Sequence, residues 1–183
     1  MQAYPEYAVK LGARYGKEVD KIQIIGGQKL VNPKIYHDFT QTLVHVFRNT
    51  VAHGIETIEE RLEAGKEEKG KIQCEIIENQ EGFIVRIADD GRGIDIDKIK
   101  KLAVTKNIID QETAMKLSDE EARKLILADG FSSAAYADEI AGRGVGLYAV
   151  QKEVEKLGGR VEIESHVGMG TEFSFILPLL TAI

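Results

Sequence analysis

Apolar and polar residues alternate in four short runs of the chain. Between 71 and 78 the apolar positions are Ile72, Cys74 and Ile76, and between 83 and 87 they are Phe83, Val85 and Ile87. The intervening Asn79, Gln80, Glu81 and Gly82 predict a β-hairpin. A second hairpin is predicted near the end. There Val161, Ile163 and Ser165 precede residues 166–170, and Thr171, Phe173, Phe175 and Leu177 alternate as far as Pro178. A period of two collects each apolar set on one face, so four such strands need a cover. Two runs with helical period can supply it. One covers about 33–52 and carries Ile35, Phe39, Leu43, Val46 and Thr50; the other covers about 145–157 and carries Leu147, Val150, Val154 and Leu157. Gly158 and Gly159 close the second. Less regular patterns suggest an opening helix over 4–15 and an edge strand over 21–25. This order predicts an α/β (α+β) fold: a two-layer sandwich of a mixed, mostly antiparallel sheet with helices on one face. No internal repeat interrupts it.

Residues 94–141 follow a different pattern, with short helical stretches separated by polar turns, by Gly130 and by Ser132 and Ser133. Ser118 and Glu121 have the spacing of a capping box for a short helix running through Leu127. The segment reads either as a solvated connector or as a moving lid. Its length favours the lid, because structureless loops beyond about 12 to 15 residues in compact domains are usually functional or disordered. The expectation is one domain over 1–183 with a lid at about 94–141.

Composition narrows the function classes. With 183 residues, 43% of them hydrophobic, and no apolar stretch long enough to cross a bilayer, the chain reads as one soluble domain without direct membrane contact. The first ten residues lack the basic and apolar regions of a secretory signal, which predicts the cytoplasm. Cys74 is the one cysteine, so no internal disulfide forms, and its place in an alternating run predicts a buried small apolar residue. A net charge of -6 gives no general attraction to nucleic acid. Any phosphate binding must therefore be local.

Three places could carry chemistry. His45, Asn49 and His53 follow one another at intervals of four, along a polar stripe beside the apolar one. Taken alone, this stripe reads better as a helix end in ordinary solvent contact. If a divalent cation binds here, Mg²⁺ prefers oxygen ligands and keeps several waters, which makes Asn49 the ligand and His45 a base or water-orienting group. Asp89 follows a strand-like run, and a partly buried carboxylate there needs hydrogen-bond donors, such as an adenine amino group. Gly91 and Gly93 would let a ring and phosphates lie near the backbone, with Asp90 and Arg92 facing outward. An Asp-Gly turn leading into a helix at Asp95 or Asp97 explains these residues as well. Finally, Gly142, Gly144 and Gly146 run into a helix-like segment whose free amides favour an anion such as triphosphate. A flexible turn before a helix is the plain alternative. There is no GxxxxGK[ST] pattern, and no GxGxxG opens a helix after the first strand.

In combination these motifs are specific. His45, Val46, Phe47, Arg48 and Asn49, then His53, Gly54, Ile55 and Glu56, then Asp89 through Gly93, Phe131 to Ser133, Gly142 to Gly146, and Gly170 with Thr171 resemble the ordered boxes of the histidine-kinase ATP-binding domain. They look most like its chemotaxis-type, CheA-like branch, over roughly residues 8–183. The resemblance implies the Bergerat ATP fold shared with gyrases, ninety-kilodalton heat-shock chaperones and mismatch-repair ATPases.

By that resemblance ATP and Mg²⁺ are the cofactors. Asp89 would bind the adenine amino group and Thr171 would support it. Asn49 would ligate the metal with His45 beside it, and His45, Asn49 and His53 would be the catalytic set near the metal-triphosphate. Gly91, Gly93, Ile94, Phe131, Ser132, Gly142, Arg143, Gly144, Val145, Gly146 and Leu147 would complete the nucleotide contacts, with Phe131 as hinge or adenine-side anchor. The implied activity is transfer of the γ-phosphoryl group to a histidine on a separate domain or partner in two-component signalling. A histidine-phosphotransfer domain and a response regulator would be reached through the parent protein, and dimerisation elements are not evident in the chain. Ala52 stands where the branch usually has Asp, Leu147 and Tyr148 replace its usual Met-Asp, and Leu102 replaces a frequent basic residue. These departures keep open a regulatory nucleotide-binding module without transfer. A gyrase-like or chaperone-like ATPase clamp is the third reading.

Overall fold

A computed structural model describes residues 4–26, 32–78, 80, 82–131 and 146–180. Helix α1 (Tyr4–Arg14) opens the chain and strand β1 (Gln23–Gly26) follows. Helix α2 (His37–Asn49) passes into a wide π-turn (Thr50–Gly54), and α3 (Ile58–Glu63) precedes the hairpin of β2 (Ile72–Glu78) and β3 (Gly82–Asp89). Then come α4 (Ile96–Thr105), α5 (Gln111–Lys116), α6 (Asp119–Lys124) and a 3₁₀ turn (Leu125–Leu127). Helix α7 (Gly146–Lys156) and the hairpin of β4 (Arg160–His166) and β5 (Gly170–Pro178) complete the domain.

The five strands form one mixed sheet in the order β1-β2-β3-β5-β4, parallel only between β1 and β2. Period-two alternation puts Cys74, Val85, Ile87, Phe173 and Phe175 on the helix-covered face. Gln73, Glu75, Arg86 and Glu172 occupy the other, where Arg86 pairs with both glutamates. Helices α2 and α7 supply the cover through Phe39, Leu43, Val46, Phe47, Leu147, Val150 and Val154. Phe39 meets Phe175 edge-on, with ring centroids 5.7 Å apart. Helix α1 packs on α2 through Tyr4 and Phe47. Cys74 is buried, and burial pushes its thiol up to about 11, which keeps it protonated and apolar.

Both hairpins, the edge strand and the opening helix match expectation. The helix expected over 33–52 is shorter, because residues 33–36 form a turn and residues beyond Asn49 widen into the π-turn. Helix α3 carried no expectation, although Thr57 and Glu60 form a complete capping box at its start. The Ser118–Glu121 box caps α6 as expected. Within the segment expected to be a lid, residues 96–127 hold four short helical pieces, and Ala103, Ala114, Ala122 and Leu127 are buried. Residues 132–145 lie outside the described residues. None of the helices described is long and apolar enough to cross a membrane.

Candidate functional site

The sheet register brings three polar residues together at one end of the helix-covered face. Asp89, the last residue of β3, lies opposite Thr171, and Thr171 lies opposite Ser165. Ser165 and Thr171 are buried, and their hydroxyl oxygens are 3.0 Å apart. Ser165 also accepts the amide of Ile94 at 2.9 Å and donates to Gly170 O at 2.9 Å. It thereby ties the loop after β3 to the β4–β5 turn. Ser165 and Thr171 sit in phase with Ile163, Phe173 and Phe175, so core packing and hydrogen bonding share one sheet face.

The Asp89 carboxylate is half-buried. Burial raises its pKa to about 6, against the opposing pull of the Gly91 and Thr171 amides, while Asp90 and Glu56 add like-charge repulsion. Gly91 N donates to Asp89 Oδ1 at 2.9 Å. The space beside this carboxylate depends on glycines. A Cβ on Gly54 would lie 3.4 Å from both Asp89 oxygens, and one on Gly91 would come within 2.3 Å of Gly54 O. Gly93 has φ +70, and a Cβ there would meet His166 O at 2.2 Å. Gly54 and Gly91 thus wrap the carboxylate in a tight backbone cradle, and at Gly91 and Gly93 neighbouring backbone leaves no room for a Cβ.

The second aspartate has a different setting. Asp90, expected to face outward, instead pairs with Arg61, whose side chain is wholly buried on α3. Arg61 Nη2 lies 2.9 Å from Asp90 Oδ2, and Nη1 lies 3.1 Å from Glu56 Oε2. Lys66 Nζ reaches Glu56 Oε1 at 2.7 Å and the Asp90 and Gly91 carbonyls at 2.8 and 2.7 Å. Asp90 is thus committed to holding the loop, whereas among the described residues the Asp89 carboxylate accepts only the Gly91 and Thr171 amides. The sequence carried a weak signal of this network: a charge-rich stretch with a capping box, following Glu56. Arg92 does face solvent, where it pairs with Glu60 at 2.8 Å.

Asn49 ends α2, and His45 stands one turn earlier. His53 belongs to the π-turn, which is wider than the α-helical spacing assumed from sequence. Burial lowers the pKa of His45, with a further push from Arg48. His53, although exposed by area, is lowered by crowding against protein, then by Lys17, Arg48 and Arg92. Both shifts favour the neutral imidazole; of the cations nearby, Lys17 is bonded to the Val51 and Ala52 carbonyls and Arg92 is paired with Glu60. Among the described residues no three His, Cys, Asp or Glu groups cluster to hold a metal. A cation here would therefore depend on Asn49, water and ligand oxygens. That donor set suits Mg²⁺.

Of the remaining expected residues, Ile94 lies in the clamped loop and Phe131 is buried, with Lys106 5.9 Å above its ring and bonded to its carbonyl at 2.6 Å. Gly146 and Leu147 open α7. Ser132, Gly142, Arg143, Gly144 and Val145 lie outside the described residues. Asp95 caps α4 by accepting from Lys98 N, so the Asp-Gly turn and the helix start are both present. Cavities of about 270 and 200 Å³ lie elsewhere, one along residues 158–160 and 176–178 and one on the uncovered sheet face.

Residues 39–181 match the histidine kinase-, DNA gyrase B-, and HSP90-like ATPase family. The chain belongs to that family. It is 37% identical over 180 residues to the sensor histidine kinase CheAY of Helicobacter pylori, covering 98% of this chain and 22% of that protein. It is 35% identical to the chemotaxis protein CheA of Bacillus subtilis, covering 98% and 27%. The gliding motility regulatory protein of Myxococcus xanthus is 35% identical, with 96% and 22% covered. This ATPase-family domain therefore spans about a quarter of the length of these curated relatives. Its fold is also that of the histidine kinase domain of the Erythrobacter litoralis blue-light activated kinase, with TM-score 0.54, 16% identity, and 96% and 63% of the two chains covered.

Proposed function

We propose that this domain binds Mg-ATP and donates its γ-phosphoryl group to a histidine on a separate domain or partner, as the catalytic portion of a CheA-like histidine kinase. The observation that carries the reading is the half-buried Asp89 carboxylate at the end of β3, flanked by Gly54 and Gly91 and close to the end of α2 that carries Asn49. Asp89 accepts the adenine amino group, and Thr171 and Ser165 hold the strand ends that present it. Asn49 offers an amide oxygen to the metal, which when bound neutralises charge on the phosphate oxygens. Neutral His45 and His53 can accept or orient a proton near the phosphates. In the transfer, the bond from γ-phosphorus to the bridging oxygen breaks and a phosphorus–nitrogen bond forms on the acceptor imidazole. ADP leaves, and the imidazole proton passes to a base.

Catalysis then rests on positioning and charge neutralisation. The lid role of residues 94–141 and the nucleotide contacts of Ser132 and residues 142–145 belong to the same proposal, as do a cytoplasmic setting and a response regulator as the downstream acceptor. The chain's histidines are His37, His45, His53 and His166; His37 opens α2 and His166 ends β4, neither within a separate helical bundle.

Labelled Mg-ATP mixed with this domain and the histidine-phosphotransfer domain of its parent tests the reading. Label on the acceptor histidine is expected. Binding without transfer would instead identify a regulatory module, and hydrolysis independent of acceptor would identify an ATPase clamp.

A further inference from the structure

We infer that Lys17 is a positioning residue for the adenine site, linking the turn after α1 to the Asp89 cradle. This rests on the nucleotide-binding reading above and adds a residue outside the 39–181 family match. Lys17 Nζ donates to Val51 O at 2.9 Å and to Ala52 O at 2.7 Å, two consecutive carbonyls of the π-turn. Carbonyls at a helix end lack partners along the helix axis, and a cation placed there satisfies them and opposes the negative end of the dipole.

The turn so held continues directly into the cradle. Two residues beyond Ala52, Gly54 O accepts the amide of Arg92 at 2.9 Å, Gly91 packs against the same carbonyl, and the Gly54 Cα flanks the Asp89 carboxylate. Lys17 is itself fixed from behind. Its amide donates to Gly12 O at 2.9 Å, and Gly12 packs so closely that an added Cβ would lie 2.8 Å from Val19. Burial holds the Lys17 ammonium below its usual pKa, Arg92 pushes it further down, and Glu60 and Glu56 oppose the shift. Two of the three ammonium donors are taken by backbone carbonyls, which orients the group toward the π-turn. The position of α1 is thereby transmitted to the adenine end of the pocket.

The test compares K17M, which keeps the stem and loses the donors, with K17R, which restores donors and charge. Calorimetric titrations use adenosine and ADP as separate probes, without metal. Lys17 acting by position predicts that K17M weakens both probes by the same factor, about threefold to tenfold, and that K17R recovers most of it. Amide hydrogen exchange without ligand gives an independent readout: the Arg92 amide, bonded to Gly54 O, exchanges faster in K17M and returns toward wild type in K17R. Loss confined to ADP would overturn the inference in favour of a direct phosphate contact. Unchanged affinity for both probes, or unchanged Arg92 exchange, would also overturn it. Wild-type protein that binds neither probe would instead overturn the nucleotide-binding reading itself.

Discussion

Asp89 is the last residue of β3 and Asp90 the first beyond it, and their neighbours give them different surroundings. Asp90 lies against Arg61 and accepts the amide of Lys71, whereas Asp89 lies among glycines with its pKa raised to about 6. A carboxylate whose folded pKa exceeds its unfolded value favours the native state below about pH 4, and that contribution is lost as pH rises through about 6. Asp89→Asn removes the buried charge. The variant should therefore melt higher than wild type at pH 8 without ligand, and the two should converge near pH 4. The same substitution should weaken ATP binding by about 1 to 3 kcal/mol, because a charge-assisted bond to the adenine amino group is lost. Calorimetry with unchanged affinity would reject the adenine role. For Asn49→Ala, the expected loss lies in the metal-dependent part of ATP binding while adenosine affinity persists; equal losses with and without Mg²⁺ would contradict metal ligation. Asp89, Asn49 and the glycines stood out from the sequence only as an ordered set resembling a known family, since each motif alone is matched by an ordinary turn or helix end. Lys17, Arg61 and Lys66 did not stand out, since surface cations of the same type are common and only their burial and partners distinguish them.

At the scale of elements, periodicity served well wherever one face of a long element meets the core. The two hairpins and helices α2 and α7 are of this kind. It served poorly for short elements. Helix α3 has six residues and only Arg61 buried, so it offers no apolar stripe, and its one sequence mark is the Thr57–Glu60 box. Thr57→Ala should cost about 1 kcal/mol through loss of that cap. For a domain of this size that is a fall in melting temperature of roughly 2 to 4 °C, measurable by scanning calorimetry. Glu60 also bonds Arg92 at 2.8 Å, so the loop after β3 should loosen with the cap. The π-turn after Asn49 was equally hidden, because a single extra residue in a turn leaves the apolar spacing nearly unchanged. That turn sets where Gly54 meets Asp89, and Lys17 holds it.

Across the whole molecule, the proposed nucleotide site joins segments far apart in sequence on one corner of the sheet: the end of α2, the loop after β3 and the β4–β5 turn. The Glu56, Arg61, Lys66 and Asp90 network braces this corner. Arg61→Met should destabilise the domain by about 3 to 5 kcal/mol in urea denaturation, because two carboxylates lose their buried counter-charge. A change below about 1 kcal/mol would show that the network is structurally idle. The sequence by itself determined the layer architecture and the two hairpins, because alternation is a local property. Tertiary structure alone decided which aspartate stays available, which cations converge and which backbone approaches need glycine. Those outcomes depend on register and burial, and both are set by contacts between segments that the sequence places as far as 144 residues apart, from Tyr36 to Leu180.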